Sequence, residues 1–249
     1  MVIPPEIVDR ILEHIPVPLG LEGQKTLMAC ALVATWWTGP SQRRLFSSAF
    51  IEVENHQRWM DGVVHTKSRA HLLGYIRSLW YCFGMCWMRD LQQNHGEYFS
   101  ALRNLRSLTL FNVGIERNHQ EGFCTCFSPF RGTLTYLSLE HSPTSFSGFV
   151  TLIDYFPNII HLQLRSPTLE PEARPVPTLS RPLRGTVEFH GSNRCLDFLD
   201  RFVSLDLEYD EVVIDSPYRF MEGEYMERTF QLSATTTKIL RLAAEFLRE

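Results

Sequence analysis

The sequence lacks an apolar run long enough to cross a bilayer. Its longest uncharged apolar stretch, LMACALVATWW, runs from Leu27 to Trp37 and has 11 residues, whereas a membrane-spanning helix needs about 20. We expect this stretch to form a buried helix instead. The first 15 residues include four charged side chains, so they also lack the uninterrupted apolar segment of a secretory signal peptide. The sequence therefore predicts an intracellular protein, cytoplasmic or nuclear.

A strong excess of charge of either sign is absent as well. The chain has 24 lysines and arginines against 28 aspartates and glutamates, which gives a net charge of -4 at pH 7. Nucleic-acid-binding domains usually carry a basic patch or stripe, so this balance disfavours a nucleic-acid partner without excluding one. Apolar residues make up 44% of the chain and charged residues 21%, a composition that is typical of folded domains and argues against wholesale disorder.

Cysteine is sparse for a protein held together by disulfides. The chain has six cysteines in 249 residues, and without a secretory signal these indicate reduced thiols. The residues to consider for a zinc site are Cys82, Cys86, Cys124, Cys126, His95 and His119. Structural zinc sites place paired cysteines two to four residues apart in tight turns, a spacing that the first pair permits and the second fits poorly. We therefore expect free thiols, no metal and no cofactor.

Recognisable catalytic motifs are missing too. The sequence contains no G-x-S-x-G, H-E-x-x-H or G-x-G-x-x-G pattern. The segment GLEGQKT from Gly20 to Thr26 has a partial likeness to a phosphate-binding loop, but it has two residues between its glycines where that loop needs four. We expect an inter-helix loop there and a protein that is not an enzyme. An enzyme without a known motif is the alternative, which a deep pocket with converging polar groups would support.

What the sequence does have is a short amphipathic helix at its beginning. Pro4 and Pro5 suit the first turn of a helix, where the missing N–H costs nothing. The apolar residues that follow form one stripe along the helix: Ile7, Val8, Ile11, Leu12 and Ile15. Prolines after this segment end the helix. One face of it must be buried.

A second helix is expected from about Gln24 to Trp37 and is apolar almost all round. Gly39 and Pro40 should end it, and SQRRLFSSAFIEV should lead from a short basic helix into an extended segment. A module as short as these first 47 residues rarely stabilises itself without a disulfide, a metal or a partner. These helices therefore pack against the rest of the chain or against another protein.

The segments IPPEIVDRILEHI, LMACALVATWW and RRLF, which lie between residues 3 and 47, resemble an F-box. Trp37 stands at the signature tryptophan, Trp36 replaces a usual small polar residue, and Ala34 stands where fungal members often have cysteine. The resemblance implies that this helical hairpin docks on a Skp-type adaptor, which connects to a cullin. The adaptor contacts that it implies are Pro4, Pro5, Ile7, Ile11, Leu12, Leu32, Val33 and Trp37. An amphipathic hairpin buried against its own domain is the alternative.

The remainder of the chain contains an internal repeat. An L-x-x-L-x-L pattern begins at Ile76, Leu105, Leu134 and Ile159, at intervals of 29, 29 and 25 residues. This spacing is typical of leucine-rich repeats, in which short strands stack along one face of a solenoid. Less regular units follow in the segments 186–189, 202–207 and 239–242. Helices are expected between strands, over residues 145–156, 94–105 and 193–203.

The repeats depart from the usual leucine-rich pattern after each strand. Val113, Ser142 and Pro167 stand where an asparagine or cysteine normally satisfies the turn, so we expect other backbone contacts to hold an irregular solenoid.

Two further segments leave alternatives open. The proline-rich stretch from Ser166 to Gly185 is predicted to be a loop, either a recognition loop or a passive insertion. The acidic residues between Asp206 and Asp215 indicate either a solvated face or an acidic patch that favours basic partners.

The sequence thus predicts an α/β (α+β) chain with an F-box domain over residues 1–50 and a degenerate leucine-rich-repeat domain over residues 51–249. This layout resembles fungal F-box proteins. It implies a substrate-recognition subunit of a Skp/cullin/F-box ubiquitin ligase, which binds the adaptor through the helices and a protein target through the repeats. The alternative is a repeat scaffold without a ubiquitin role, whose N-terminal hairpin only caps the solenoid. The ending AAEFLRE lacks a polar cap, so we expect the natural chain to continue.

Overall fold

The computed structural model describes residues 4–15, 21–66, 70–87, 96, 98–115, 127–169, 178–190, 201–202, 205, 207–215 and 239–243. The helices are α1 (Pro5–Glu13), α2 (Leu21–Val33), α3 (Thr35–Leu45), α4 (Val53–Trp59) and α5 (Phe146–Tyr155). The strands are β1 (Ser48–Glu52), β2 (Ser78–Trp87), β3 (Ser107–Gly114), β4 (Tyr136–Glu140), β5 (Pro143–Thr144), β6 (His161–Arg165), β7 (Thr168–Leu169), β8 (Leu183–His190), β9 (Leu207–Asp215) and β10 (Ile239–Ala243). The chain also has a π-helical turn at Met60–Val64 and 3-10 turns at Ala70–Tyr75 and Ser128–Phe130.

The main sheet has eight strands in the order β1-β2-β3-β4-β6-β8-β9-β10. Every pairing among these strands is parallel. Strands β5 and β7 form a second, two-stranded parallel sheet. Each strand of the main sheet therefore lies beside the strands that precede and follow it in that sheet along the chain. The protein is a mixed α/β chain, as predicted.

The predicted repeat spacing is confirmed by the strand register. Leu79 pairs with Leu108, Leu108 with Leu137, and Leu137 with Leu162, so the intervals of the sequence pattern are also the offsets between neighbouring strands. The first residue of each pattern precedes its strand by two residues and is buried. Because side chains alternate along a strand, the second and third leucines of each pattern point into the core and the residue between them points away from it.

Helix α5 supplies much of that core. Ser145 caps its N-terminus, since the Ser145 Oγ accepts a hydrogen bond of 3.1 Å from the Gly148 N–H. Phe146, Phe149 and Ile153 on this helix are fully buried in the same cluster as the strand leucines. The helix predicted over residues 145–156 is therefore confirmed.

A left-handed residue recurs at the same register position of three neighbouring strands, inside β3 and directly after β4 and β6. Asn112, His141 and Ser166 have φ values of 59°, 50° and 45°, and each directly follows a strand residue at the same register. Backbone hydrogen bonds hold these turns, for example from the His141 N–H to the Arg165 carbonyl at 2.8 Å. The expectation that other backbone contacts satisfy the turns is confirmed here.

Ser142 contributes a side-chain bond at one of these turns. Its Oγ accepts from the Val113 N–H at 3.3 Å and donates to the Glu140 carbonyl at 3.1 Å. A buried serine thus satisfies a backbone donor of the preceding repeat, in addition to the backbone contacts expected at this position.

The N-terminal region contains three helices, and it differs from the prediction in where the second helix ends and the third begins. The break falls at Ala34, whose backbone is extended, and Gly39 and Pro40 lie inside α3 instead of ending a helix. Helix α3 packs against both α1 and α2. The segment Leu21–Thr26, predicted to be a loop, forms the first turns of α2. Tertiary contacts along α3 therefore override the local preference of Gly39-Pro40 to break a helix.

The register of β9 is also different from the prediction. Leu205 and Leu207 were expected to be its core pair, but Val212 and Ile214 pair with the core positions of β8. A register shift at Gly185 in β8 separates the two parts of this pairing. In β10, predicted as a repeat strand, Leu240 and Leu242 pair with Val212 and Ile214 of β9.

Part of the predicted proline-rich loop is strand. Thr168–Leu169 forms β7, and β8 begins at Leu183, while residues 170–177 lie outside the described part of the chain. Near the end of the loop, Ser180 donates from its N–H to the Asp154 carboxylate at 3.0 Å. Of the other two predicted helices, residues 96, 98–101 and 201–202 are helical, residues 102–105 are described and are not helical, and the other positions are not described.

Every helix in the described part of the chain is too short or too polar to span a bilayer.

Candidate functional site: an apolar helix surface and the open face of the sheet

The three N-terminal helices have a small core of their own. Val8, Leu12 and Leu27 are buried against one another. Four partly buried residues surround them: Ile15, Cys30, Trp37 and Leu45. This cluster is separate from the main core, whose buried members begin at Ala49 within the described residues.

Polar contacts also join these helices. Arg43 Nη2 in α3 contacts both carboxylate oxygens of Asp9 in α1 at 3.1 and 3.2 Å. Arg44 Nη2 donates to the Glu13 carbonyl at 3.2 Å, which satisfies a backbone acceptor at the end of α1. Thr38 Oγ1 donates to the Ala31 carbonyl at 3.0 Å and links α3 to α2. Helix α3 therefore holds the other two in place.

Large apolar side chains of these helices remain exposed to solvent. Leu32 and Val33 are 87% and 70% exposed, and Ile7 and Ile11 are 45% and 44% exposed. We call the following set the apolar helix surface: Ile7, Ile11, Met28, Leu32, Val33 and Trp36. Outside it, the described residues include one other large apolar side chain with comparable exposure, Ile160 in the repeat region. A concentration of this kind marks an interaction surface more often than a scattered exposed leucine does.

The eight residues predicted from sequence to contact an adaptor differ in how exposed they are to solvent. Pro4, Ile7, Ile11, Leu32 and Val33 are exposed. Leu12 is 1% exposed, so its predicted contact with another protein is corrected: it faces the small core because α1 directs this side of its stripe inward. Trp37 is partly buried against the same core. Pro5 begins α1.

Met28 and Trp36 were missed among the exposed residues. Helix α2 is apolar almost all round, so periodicity gives no signal for which of its residues face solvent. In the comparison with the F-box pattern, Trp36 is only a departure from a usual small polar residue, which does not indicate its exposure.

The side of the main sheet that faces away from the core is called here the open face. Its middle row contains one residue from each of the first seven strands of the main sheet, and each residue is the register partner of the next. These residues are Phe50, Trp80, Thr109, Ser138, Gln163, Glu188 and Val213. The row is aromatic at β1 and β2 and polar from β3 to β8. The β1–β2 end of the open face therefore offers apolar surface, whereas Ser138 and Gln163 in its polar part are buried.

Gln163 is the centre of a polar network on the open face. Its Oε1 accepts from the Tyr136 hydroxyl at 2.8 Å and from Ser138 Oγ at 3.2 Å. Its Nε2 donates to Glu188 Oε2 at 2.7 Å. Because Gln163 is buried to 7% exposure, these bonds satisfy groups that would otherwise be costly to remove from water.

Two histidines flank the carboxylate of Glu188. His161 Nε2 lies 3.2 Å from Glu188 Oε1, and His190 Nε2 lies 3.1 Å from Glu188 Oε2. Burial opposes ionisation of Glu188, but the hydrogen bonds from His190 and Gln163 and the attraction of His161 outweigh it, so the pKa of Glu188 lies below its ordinary value. Burial raises the pKa of the neighbouring Tyr136 phenol. Glu188 therefore favours its ionised form and Tyr136 its neutral form.

The structure describes only some of the cysteines, histidines and acidic residues that the sequence analysis singled out. Cys30 and Cys82 are free thiols of intermediate exposure, while Cys124, Cys126, His95 and His119 lie outside the described residues. In the portion of the chain that is described, no group of three or more His, Cys, Asp or Glu side chains is arranged to hold a metal ion. Of the acidic stretch, Glu211 pairs in register with Thr186 on β8 and is partly exposed, and Asp206 is not described.

Comparison with known proteins gives no relative. The chain matches no protein-family model, no curated protein and no solved structure.

Proposed function

We propose that this chain is the substrate-recruiting subunit of a Skp/cullin/F-box ubiquitin ligase. In this proposal the helices α1 to α3 form an F-box domain that docks on a Skp-type adaptor. The parallel sheet forms an irregular leucine-rich-repeat solenoid that holds a protein target. The subunit has no catalytic group of its own and acts by bringing the target close to the ligase, which raises the effective concentration of the reacting groups.

The observation that carries the proposal is the apolar helix surface. Leu32 and Val33 at the end of α2 are the most exposed of its residues, and the resemblance to an F-box assigns both to the adaptor contact. Burying one such side chain against a partner is worth roughly 1.5 to 3 kcal/mol. The polar contacts of Arg43 and Thr38 fix the arrangement of the helices before binding, so little ordering cost would oppose docking.

The repeat geometry supports the second part of the proposal. Strands at intervals of 25 to 29 residues stack in parallel and share a left-handed residue at the same register position. A continuous open face is what a solenoid uses to bind an extended partner surface.

Co-expression of the full chain with a Skp-type adaptor tests the proposal. We expect a stable complex, and we expect Leu32→Asp to reduce its affinity at least about 100-fold because a carboxylate would be desolvated in an apolar contact. Ile160→Asp is the matched control, since Ile160 is also an exposed large apolar residue but lies outside the helices. Absence of a complex, or equal effects of the two substitutions, would refute the proposal.

A capping role for the helices is the second candidate. The carbonyl of Ser47, two residues after the end of α3, accepts hydrogen bonds from the N–H groups of Arg77 and Ser78 at 2.7 and 3.0 Å. This places the helices next to the first strand of the sheet, where a solenoid needs a cap. The two candidates differ in whether the sheet depends on the helices for its solubility.

A further inference from the structure

A groove of about 750 Å³ lies where α2, the end of α3 and α4 meet the first two strands. Its volume is within the range of about 300 to 1,000 Å³ that is typical of small-molecule sites. The described residues that line it are all uncharged. A charged ligand would lose its hydration there without gaining an ionic partner, so the lining selects for an uncharged one.

Two stacked aromatic rings form part of the groove. Phe50 of β1 and Trp80 of β2 are register neighbours whose ring centroids lie 4.1 Å apart with planes inclined by 10°. Both side chains are partly exposed, and Met28 and Trp59 add further apolar surface from α2 and α4. Flat aromatic molecules pack well against such rings.

Neutral hydrogen-bonding groups lie beside the aromatic rings. Ser48 and Ser78 are register neighbours in the row next to Phe50 and Trp80, and Thr109 pairs in register with Trp80. All three line the groove. Their hydroxyl groups can both donate and accept, which suits a ligand with a neutral polar substituent.

The edge of β1 inside the groove is already occupied by the protein itself. The Asn55 side chain donates to the Phe50 carbonyl at 3.0 Å and accepts from the Glu52 N–H at 2.9 Å. An added peptide strand would need these two backbone groups. The groove therefore favours a small molecule over a peptide that extends the sheet.

We propose that this groove binds an uncharged, planar aromatic small molecule that stacks on the Phe50–Trp80 pair and hydrogen-bonds to the adjacent hydroxyl groups. The groove shares Met28 with the apolar helix surface. The proposal does not depend on the ubiquitin-ligase proposal, because the Phe50–Trp80 pair and the hydroxyl groups that would hold the ligand lie on the sheet.

Titration calorimetry of the full-length protein with three probes tests the inference. β-Naphthol is planar, aromatic and uncharged at neutral pH, β-naphthoate has the same ring system with a negative charge, and decahydro-β-naphthol has the same polar group without aromaticity. We expect β-naphthol to bind at least about tenfold more tightly than either of the others, given the cost of an unpaired charge and the loss of ring stacking.

Two substitutions locate the site. Trp80→Ala should weaken β-naphthol binding about tenfold or more, whereas Trp36→Ala, which removes an exposed tryptophan outside the groove lining, should leave it unchanged. Thr109→Lys should reduce the preference for the uncharged probe, because β-naphthoate should gain about tenfold in affinity from the added positive charge. The second variant gives a gain of binding that an unfolded protein cannot show.

Equal affinity for all three probes would overturn the inference, because it would indicate non-specific apolar adsorption. Binding that is abolished by Trp36→Ala and retained in Trp80→Ala would also overturn it. Failure of β-naphthol to bind the wild-type protein would have the same consequence, and it would leave the adaptor test with Leu32→Asp unaffected.

Discussion

Single residues in this protein decide how neighbouring strands meet, and Gly185 is the clearest example. Its φ is +100°, and a Cβ built on it would lie 2.0 Å from the Ile160 carbonyl oxygen. The Thr186 N–H donates to that same oxygen at 2.8 Å. Only glycine allows this close approach, which occurs where the pairing of β8 with β9 shifts its register.

Replacing Gly185 by alanine should therefore be costly. We expect Gly185→Ala to reduce the free energy of unfolding by about 2 to 4 kcal/mol, because it adds a backbone clash to an unfavourable φ. Gly132→Ala is the control, since an added Cβ there meets no atom within 4 Å, and we expect a change below about 0.5 kcal/mol. Urea denaturation of both variants measures the difference, and similar values for the two would contradict the argument.

At the scale of secondary-structure elements, the free edge of β1 is the feature that needs protection. An unpaired strand edge offers backbone groups to other chains and favours aggregation. Helix α4 begins directly after β1 and carries Asn55, whose amide pairs with the two edge groups at Phe50 and Glu52. One side chain thus replaces part of a missing neighbouring strand.

Removing this amide should expose the edge. We expect Asn55→Ala to lower the free energy of unfolding by about 1 to 3 kcal/mol, since two backbone groups lose their partner. We also expect faster aggregation in light scattering at elevated temperature. Gln57→Ala is the matched control on the same helix, because the Gln57 amide contacts only the exposed Asp61 carboxylate among the described hydrogen bonds. An equal aggregation rate for the two variants would rule out edge protection by Asn55.

At the scale of the whole molecule, the described core divides into two parts. The small core contains Val8, Leu12 and Leu27, while the main core extends from Ala49 to Val212 and includes α5 and the strand leucines. Within the described residues, the buried members of the main core include no side chain from α1 to α3. The hydrophobic stabilisation of the sheet is therefore expected to be largely independent of the helices.

Deletion of residues 1–47 tests this independence and separates the two candidate functions. If the helices are a docking module, the remaining chain should stay soluble and unfold cooperatively, with a Tm close to that of the full chain. Circular dichroism during heating and size-exclusion chromatography measure these properties. Aggregation or loss of cooperative unfolding would favour the capping role, because it would show that the sheet needs the helices to cover its first strand.

The sequence alone was sufficient to predict the strands of the first four repeats and their relative register. Leu108, Leu137 and Leu162 recur at intervals that match the strand offsets, and a strand that slipped by one residue would turn its leucines to solvent. Ser145 and Pro157 likewise indicated the bounds of α5, because capping and helix termination depend on adjacent residues. These features are local or are repeated often enough to be recognised along the chain.

Only the tertiary structure decided which apolar residues are exposed and where the local rules fail. Leu12 and Leu32 are both apolar helix residues, yet one is buried and the other is 87% exposed, because the packing of α3 determines which faces of α1 and α2 are covered. Pro40 lies within α3, and Asn55 pairs with the edge of β1. Each of these outcomes depends on contacts between elements, which composition and periodicity do not encode.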